Sequence, residues 1–318
     1  MTSVDKNTLT RLTGRKPDKL AQQVKDLADV SPKNLPEGKL YHITEKLDGV
    51  YAFFLFLAGF WQAFTRTGER IHSCEHLEDH LEGLNLDKSL VIIGELLLIY
   101  RDGYVWKYAP VGETSGAVRR HEQNSWLNLV VHDCLTQKEF REGYSSVHFT
   151  DRLSRLAWIH VNVKNPYEVT RLVRFPASCR GTKDDAVETA KEVFSRKGEG
   201  VILRDPEALW EAGKRDHRIM RIKERITKDL EVVGVKEGVG KMAGMAGSLL
   251  CRWKTPDGTL HEIPVAGGDF AQRTAWLQRP WQIVGKIIEV EAMKMTPDGF
   301  LREPRYKGVR FDKTEADC

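Results

Sequence analysis

The tetrapeptide Lys46-Leu47-Asp48-Gly49 contains the residue that best suits covalent chemistry in this sequence. A strand-like apolar run over residues 50–57 follows it directly. A lysine amine attacks an electrophile only when it is deprotonated, and burial or nearby cations lower its pKa toward neutrality. Taken alone, the pattern is just as typical of a plain hairpin turn. The interpretation of Lys46 as a nucleophile therefore depends on the residues that follow.

Two glutamates occupy strand-like segments, where a lone carboxylate is costly. Glu95 follows Gly94 inside a run of Val, Ile and Leu, and Glu199 precedes the apolar run over residues 200–204. A carboxylate in such a place must be paired, hydrogen-bonded or bound to a metal. Glu95 could simply pair with an arginine and Glu199 could lie in a surface turn. Their oxygens also suit Mg²⁺ beside a phosphate.

Basic residues are concentrated in the later part of the chain. Arg221 and Lys223 alternate with apolar residues, so both side chains would project from one face of a strand. Denser clusters over residues 214–225 and 302–313 suit phosphate groups, although a solvated basic face is also compatible with them. A lysine nucleophile, carboxylates for a cation and basic residues for phosphates together describe an attack on the α-phosphorus of a nucleotide.

The elements that position these residues differ between the two parts of the chain. A helical lead-in is predicted over residues 1–39, because residues 18–28 have apolar side chains at helical spacing. Strand-like runs with helices between them follow, and an all-β pattern with Gly and Pro-Asp-Gly turns begins near residue 226. We therefore predict an α+β domain with antiparallel sheets over residues 1–225 and an OB-fold β-barrel over residues 226–318.

The predicted strands cover residues 41–43, 50–57, 61–64, 90–99, 127–132, 200–204, 230–236, 247–254, 260–265 and 285–295. The predicted helices cover residues 151–159 and 184–196, and the predicted turns residues 256–258 and 297–299.

Bulk composition limits the class of protein. The 318 residues suffice for two domains, 41% are hydrophobic, and the net charge is +4. No apolar run is long enough for a membrane span, and no secretory signal is visible. Five scattered cysteines without a Cys-x-x-Cys pair indicate reduced thiols and no zinc site. We expect a cytoplasmic protein, of a bacterium or a phage-infected host.

In this order, the motifs resemble those of the covalent nucleotidyltransferases, specifically the small ATP-dependent DNA ligases of phage and viral type. The resemblance extends from about residue 40 to the end, where Arg310-x-Asp312-Lys313 is similar to the ligase C-terminal signature. It implies that Lys46 attacks ATP to form lysyl-AMP and that AMP then moves to the 5′-phosphate of a DNA nick. The 3′-hydroxyl finally seals the strand and releases AMP.

The resemblance also implies partners and residue roles. The partners are ATP, nicked duplex DNA and Mg²⁺, with Mn²⁺ as a substitute. The residues implied in catalysis are Lys46, Asp48, Arg66, Lys223, Arg310, Asp312 and Lys313. Those implied in nucleotide binding are Thr44, Glu45, Lys46, Arg66, Glu95, His132, Arg221 and Lys223, and those implied in metal binding are Glu95 and Glu199.

Individual roles follow from the same resemblance. Thr44 would read the adenine amino group, Glu95 would hold the ribose, and Arg66 would contact the 5′-phosphate of the nick. The C-terminal signature would orient the pyrophosphate of ATP when the OB domain closes over it.

The chain departs from the family pattern at three positions. Tyr51 stands where these ligases often have an arginine, and Arg221 replaces a lysine. His132 stands where an aromatic residue usually stacks on adenine, and a half-buried strand histidine is the alternative interpretation.

Two other kinds of protein compete with a DNA ligase. An RNA ligase or a GTP-dependent capping guanylyltransferase would share the lysine. A non-catalytic nucleic-acid-binding OB protein is disfavoured by the intact Lys46, Glu95, Glu199 and Lys223. We expect a monomer that acts in DNA repair, replication or recombination.

Overall fold

The strands of the described residues form four sheets, of which two large ones and a two-stranded one belong to the larger unit and a five-stranded one to the smaller. The computed structural model describes residues 8–156, 172–296 and 298–317. The chain divides into two compact units, Met1–Ile222 and Lys223–Cys318. The predicted α+β class is confirmed, because antiparallel sheets and helices occur together. None of the helices among the described residues is long and apolar enough to cross a membrane.

The strands are β1 (Gln23–Asp26), β2 (Tyr41–Glu45), β3 (Val50–Leu57), β4 (Phe60–Thr65), β5 (Leu90–Asp102), β6 (Val105–Tyr108), β7 (Leu127–Thr136), β8 (Tyr144–Ser145), β9 (Val173–Arg174), β10 (Ser178–Gly181), β11 (Gly200–Arg204), β12 (Trp210–Glu211), β13 (Arg215–Lys223), β14 (Ile226–Glu237), β15 (Ala246–Lys254), β16 (Leu260–Val265), β17 (Ile287–Met295) and β18 (Leu301–Val309). The helices are α1 (Thr8–Thr13), α2 (Glu75–Gly83), α3 (Val111–Arg119), α4 (Gln137–Glu142), α5 (Phe149–Ser154), α6 (Lys183–Ser195) and α7 (Phe270–Gln278).

The first sheet of the larger unit has the strand order β1-β13-β11-β2-β10. Tyr41 and Ile43 of β2 are buried against α6, with Val201 and Leu203 of β11 in the same cluster. Because side chains alternate along a strand, His42, Thr44 and the following Lys46 lie on the opposite face. This alternation places the chemically interesting residues of β2 in one row.

The second sheet has the strand order β4-β3-β5-β7-β9, with β6 paired to β5. Its central strand β5 is buried along most of its length, which explains the nearly continuous Val, Ile and Leu of its sequence. Tyr51 of β3 pairs with Glu95 of β5, and Glu95 in turn pairs with Val130 of β7. The register therefore sets Glu95 in the middle of the sheet.

The smaller unit contains a five-stranded antiparallel sheet in the order β16-β15-β14-β17-β18. Its core includes Trp253 of β15 and Trp276 of α7, a helix that the sequence pattern did not predict. Strands β16 and β18 are the two edges of this sheet. Among the described residues, the isolated bridge between them is the single pair Ala266 and Arg305. The predicted β-rich unit is confirmed as OB-like, but no closed barrel forms among its described residues, and α7 interrupts the predicted all-β pattern.

The predicted helix over residues 18–28 is wrong, and with it the helical lead-in over residues 1–39. Besides the short α1, this segment forms 3₁₀ turns such as Pro17–Lys19, and residues 23–26 form strand β1. That strand pairs in parallel with β13, nearly two hundred residues later in the sequence. Local spacing is a weak preference that such long-range pairing overrides. Residues 157–159 of the predicted helix 151–159, and residue 297 of the predicted turn 297–299, lie outside the described residues.

Candidate active site

A cleft of about 240 Å³ in the larger unit gathers most of the residues singled out in the sequence. It is lined by side chains from both large sheets. Its lining includes Thr44, Glu45, Lys46, Tyr51, Arg66, Glu95, His132, Ile202, Arg204 and Arg221.

Lys46 lies at the cleft directly after β2, with Glu199 beside it. The backbone N–H of Lys46 donates to the Gly200 carbonyl oxygen at 2.8 Å, which extends the pairing of β2 with β11. The Lys46 Nζ atom donates to Glu199 Oε2 at 2.6 Å, and the two side chains are 22% and 13% exposed. A carboxylate at this distance can accept the proton that the amine must lose before it attacks.

Gly49 is needed for a close approach of two chain segments. A Cβ atom there would lie 2.4 Å from the Leu96 carbonyl oxygen and 2.7 Å from Glu95 Cγ. The Gly49 N–H instead donates to the Glu95 carboxylate. Burial, with a further contribution from Glu199, raises the pKa of Glu95 to about 7, against the opposing effect of Lys46. Gly49 thus brings the segment of Lys46 against the half-buried Glu95, a contact that the plain hairpin interpretation does not explain.

His132 presents a neutral ring to the cleft. The Arg204 guanidinium donates to the His132 carbonyl oxygen, and its other nitrogen lies 3.3 Å from His132 Nδ1. Because arginine only donates, Nδ1 accepts and the ring proton is on Nε2. Burial, reinforced by the charge of Arg204, lowers the pKa of His132 to about 3. The residue is therefore both a strand histidine with a structural partner and a flat, uncharged cleft wall.

The substitution His132→Phe is expected to change how stability depends on pH. An unfolded histidine has a pKa of about 6.5, whereas folded His132 has one of about 3. Between these values the unfolded chain binds a proton that the folded chain does not, so acid lowers the free energy of unfolding. Relative to the variant, the wild type should lose about 2 kcal/mol between pH 7.5 and pH 5. Urea unfolding of both proteins tests this, and parallel pH profiles would contradict it.

Tyr51 and Arg66 form a stacked pair at the cleft. The Arg66 guanidinium lies 5.7 Å from the centre of the Tyr51 ring, and that ring lies 5.4 Å from the ring of His132. Such a cation–π contact holds an otherwise exposed arginine in place. Tyr51, at the position where an arginine was expected, therefore supports a neighbouring arginine.

Arg221 also lines the cleft, and its charge is paired within the same unit. Its guanidinium donates to both carboxylate oxygens of Asp26, the residue opposite it in the β1–β13 pairing. A phosphate group bound here would share Arg221 with a carboxylate.

Asp48, in the larger unit, lies close enough to Glu95 to raise the pKa of that carboxyl. The other predicted residues, Lys223, Arg310, Asp312 and Lys313, belong to the smaller unit. Arg310 donates to both oxygens of Asp229 at 3.0 and 2.9 Å, and it also forms a forked pair with Asp312. Lys313 Nζ donates to the same Asp229, which is 3% exposed. Lys223 Nζ lies 4.0 Å from the sulfur of Met293. The C-terminal signature is thus anchored to β14 by one buried carboxylate.

Sequence reasoning missed several supporting residues, namely Asp26, Asp133, Arg152, Arg204 and Asp229. Asp133 directly follows His132 and Arg204 ends the apolar run over residues 200–204, but no role was predicted for either, and the other three lie outside a recognisable motif. Their only local signal is a charge within an apolar strand or helix, which indicates a buried partner without naming it.

Glu95 and Glu199 fit a divalent cation that is bound together with phosphate oxygens. The two carboxylates are close enough for Glu199 to raise the pKa of Glu95, and a cation would relieve that repulsion. Across the described ranges there is no group of three or more His, Cys, Asp or Glu that could hold a metal alone. Mg²⁺ commonly uses only one or two carboxylates with phosphates and water, so this donor set suits it.

Comparison with protein families gives two matches along the chain. The family described as "ATP dependent DNA ligase domain" matches residues 18–223, and "DNA ligase OB-like domain" matches residues 237–310.

Individual relatives are distant. The DNA ligase of Vaccinia virus (strain Ankara) is 22% identical over 293 residues, which cover 76% of this chain and 50% of the relative. A probable DNA ligase of Streptomyces griseus is 26% identical over 282 residues, with coverages of 83% and 53%. The chain therefore spans about half the length of these curated relatives. The solved structure Pmar-Lig_Pre shares the fold with a TM-score of 0.74 at 23% identity, covering 97% of this chain and 72% of that one.

Proposed function

Because the chain belongs to the ATP-dependent DNA ligases, we propose that it seals nicks with a 5′-phosphate and a 3′-hydroxyl in duplex DNA. The observation that carries this proposal is the contact between Lys46 Nζ and Glu199 in a cleft also lined by His132 and Arg66. The cleft thus combines a nucleophile with a proton acceptor, a flat ring against which a base can lie, and a guanidinium for phosphate.

In the first step, Lys46 Nζ forms a bond to the α-phosphorus of ATP as the bond to pyrophosphate breaks. The amine proton moves to Glu199 or to water, and pyrophosphate leaves. A 5′-phosphate oxygen of the nick then displaces Lys46 from AMP. Finally the 3′-hydroxyl oxygen attacks that 5′-phosphate, loses its proton and releases AMP.

The individual roles keep the order of the motifs. Thr44 and His132 hold the base, and Glu95 the ribose. Asp48, which lies close enough to raise the pKa of Glu95, supports the Lys46 segment. Arg66 holds the 5′-phosphate of the nick, and Arg221 and Lys223 hold nucleotide phosphates. The Arg196 guanidinium donates to the Glu45 carboxylate at 2.5 Å, and this pair stiffens the end of β2.

The proposal also assigns roles to a divalent cation and to the C-terminal signature. Glu95 and Glu199 would hold Mg²⁺ or Mn²⁺, which would neutralise charge on the phosphates. Arg310, Asp312 and Lys313 act on the pyrophosphate of ATP. The protein acts as a monomer, in the cytoplasm of a bacterial or phage-infected cell, in DNA repair, replication or recombination.

A sealing assay tests this function. The purified protein is incubated with ATP, Mg²⁺ and a nicked duplex carrying a labelled 5′-phosphate. We expect a sealed strand, a transient adenylylated DNA end, and no product from a nick that lacks the 5′-phosphate. Two parallel reactions serve as controls, one with GTP in place of ATP and one with a nick in an RNA duplex. Sealing of RNA alone, or use of GTP alone, would favour the RNA ligase or capping alternatives.

A further inference from the structure

A second, smaller cavity adjoins the nucleotide cleft of the larger unit. Its volume is about 70 Å³, and it shares Thr44, His132, Pro176 and Arg204 with the cleft. Beyond these shared residues it is lined by the apolar Val131, Phe149, Leu153 and Phe175 and by the polar His42 and Ser178. The cavity is thus a side chamber of the cleft, to which the proposed ligase steps assign no role.

Strand pairing explains why the chamber lies where it does. His42 of β2 is paired with Arg204 of β11, and Thr44 of β2 is paired with Ser178 of β10. Residues directly opposite in an antiparallel pair point to the same face, so these four side chains form one surface. The ring of Phe149 covers it, with its centre 5.4 Å from that of His42.

His42 contributes a polar atom that lacks a partner. Among the described residues its Nε2 atom is buried and makes no hydrogen bond. Burial, followed by the charges of Arg180 and Arg204, lowers the pKa of His42, so the ring is neutral. A buried nitrogen left in this way is costly, and a ligand hydroxyl in the chamber would satisfy it.

The row of β2 side chains relates the chamber to the nucleotide. His42, Thr44 and Lys46 follow one another on one face, about 7 Å apart per step. A phosphate bonded to Lys46 fixes one end of the nucleotide, and the ribose separates it from the base. In the proposed function the base would lie beside Thr44 and the His132 ring, and its far edge, which carries the exocyclic N6 nitrogen, would face His42.

We propose that this chamber is a subsite for small substituents on the exocyclic N6 nitrogen of an adenine nucleotide. This subsite proposal rests on the proposed function, in which Lys46 takes AMP from ATP. One water needs about 10–15 Å³ and a cavity that holds benzene has about 150 Å³, so the chamber suits about two to four non-hydrogen atoms. Alkyl and hydroxyalkyl groups fit, and an aromatic ring does not.

The test compares adenylylation of the whole chain by ATP, N6-ethyl-ATP, N6-(2-hydroxyethyl)-ATP and N6-benzyl-ATP. Intact-protein mass spectrometry follows each lysine adduct by its own mass. We expect N6-ethyl-ATP to react within about tenfold of ATP, and N6-benzyl-ATP about a hundredfold or more below it. The hydroxyethyl compound should exceed the ethyl compound by about three- to tenfold, because its hydroxyl reaches His42 Nε2.

Two variants separate the chamber from the rest of the site. Ser178→Phe places a ring at the exposed end of the chamber, so the reaction with N6-ethyl-ATP should fall about tenfold or more while ATP is unaffected. Leu153→Phe narrows the chamber from the other side and serves if Ser178→Phe does not fold. His42→Phe should abolish only the advantage of the hydroxyethyl compound.

Reaction with ATP but none with N6-ethyl-ATP would overturn the proposal, as would equal use of N6-ethyl-ATP by the wild type and both narrowed variants. If the folded protein forms a lysine adduct with none of the four nucleotides, not even with ATP, the proposed function itself is contradicted.

Discussion

Lys46→Ala is expected to abolish transfer of the α-phosphate of ATP to the protein. The loss should be about 10⁴-fold or more, the order that follows removal of an enzyme nucleophile. The variant lacks the only protein atom that bonds to the α-phosphorus in the proposed steps, the Nζ that lies 2.6 Å from Glu199. Incubation with α-labelled ATP and Mg²⁺, followed by denaturing electrophoresis, measures the label, after pretreatment with pyrophosphate to remove AMP already bound.

Three controls make this result specific. Lys46→Arg keeps a positive charge beside Glu199 but cannot lose its proton, so it should also remain unlabelled. Lys191→Ala removes an exposed lysine of α6, 65% exposed in its pair with Glu188, and should be labelled like the wild type. Lys46→Ala should still seal a nick whose 5′-phosphate is already adenylylated, because that step needs no lysine nucleophile. Full labelling of Lys46→Ala would refute the assignment.

Asp133→Ala is expected to destabilise the larger unit by about 3–5 kcal/mol, because it leaves a buried cation without its carboxylate. Arg152 is fully buried and donates to both Asp133 oxygens, at 2.8 and 3.0 Å. It also donates to the carbonyl oxygens of Val147 and Ala208. The pair therefore joins α5 to β7 at the residue after His132. Urea unfolding followed by tryptophan fluorescence measures the change.

A double-mutant cycle separates the pair from general disruption. Arg152→Met should cost about as much as Asp133→Ala, and the double variant should be clearly more stable than the sum of the two losses predicts. Glu142→Ala removes the exposed pair with Lys138, whose side chains are 57% and 82% exposed, and should change stability by less than about 1 kcal/mol. Additive effects of Asp133→Ala and Arg152→Met would show that the pair is not a unit.

Much of the strand structure is predictable from the sequence. The predicted strands over residues 50–57, 200–204 and 260–265 agree with the observed bounds, and the helix predicted over 184–196 is α6, Lys183–Ser195. These segments combine a clear period with a flanking signal, such as the capping box of Thr182 and Asp185. Residues 18–28 have apolar side chains at helical spacing, but part of this segment pairs with β13 and forms strand β1 instead.

The site residues divide in the same way. The types of Lys46, Glu95 and Glu199, and their places next to apolar runs, suffice to identify them as candidates. Nothing near Lys46 in the sequence indicates that Glu199 lies 2.6 Å from it, because that contact requires β2 and β11 to pair. The contacts of Arg204 with His132 and of Asp229 with Arg310 likewise join segments far apart in the chain.

The sequence by itself determined which side chains can do chemistry, because nucleophilicity, charge and hydrogen-bonding capacity belong to residue types. It also determined most strands, because burial on one or both faces requires a characteristic period. Only the tertiary structure decided how those side chains behave. The neutral ring of His132, the raised pKa of Glu95 and the shared use of Asp229 all arise from burial and from charges brought close by pairing. Distance and desolvation set these properties, and neither is a property of local sequence.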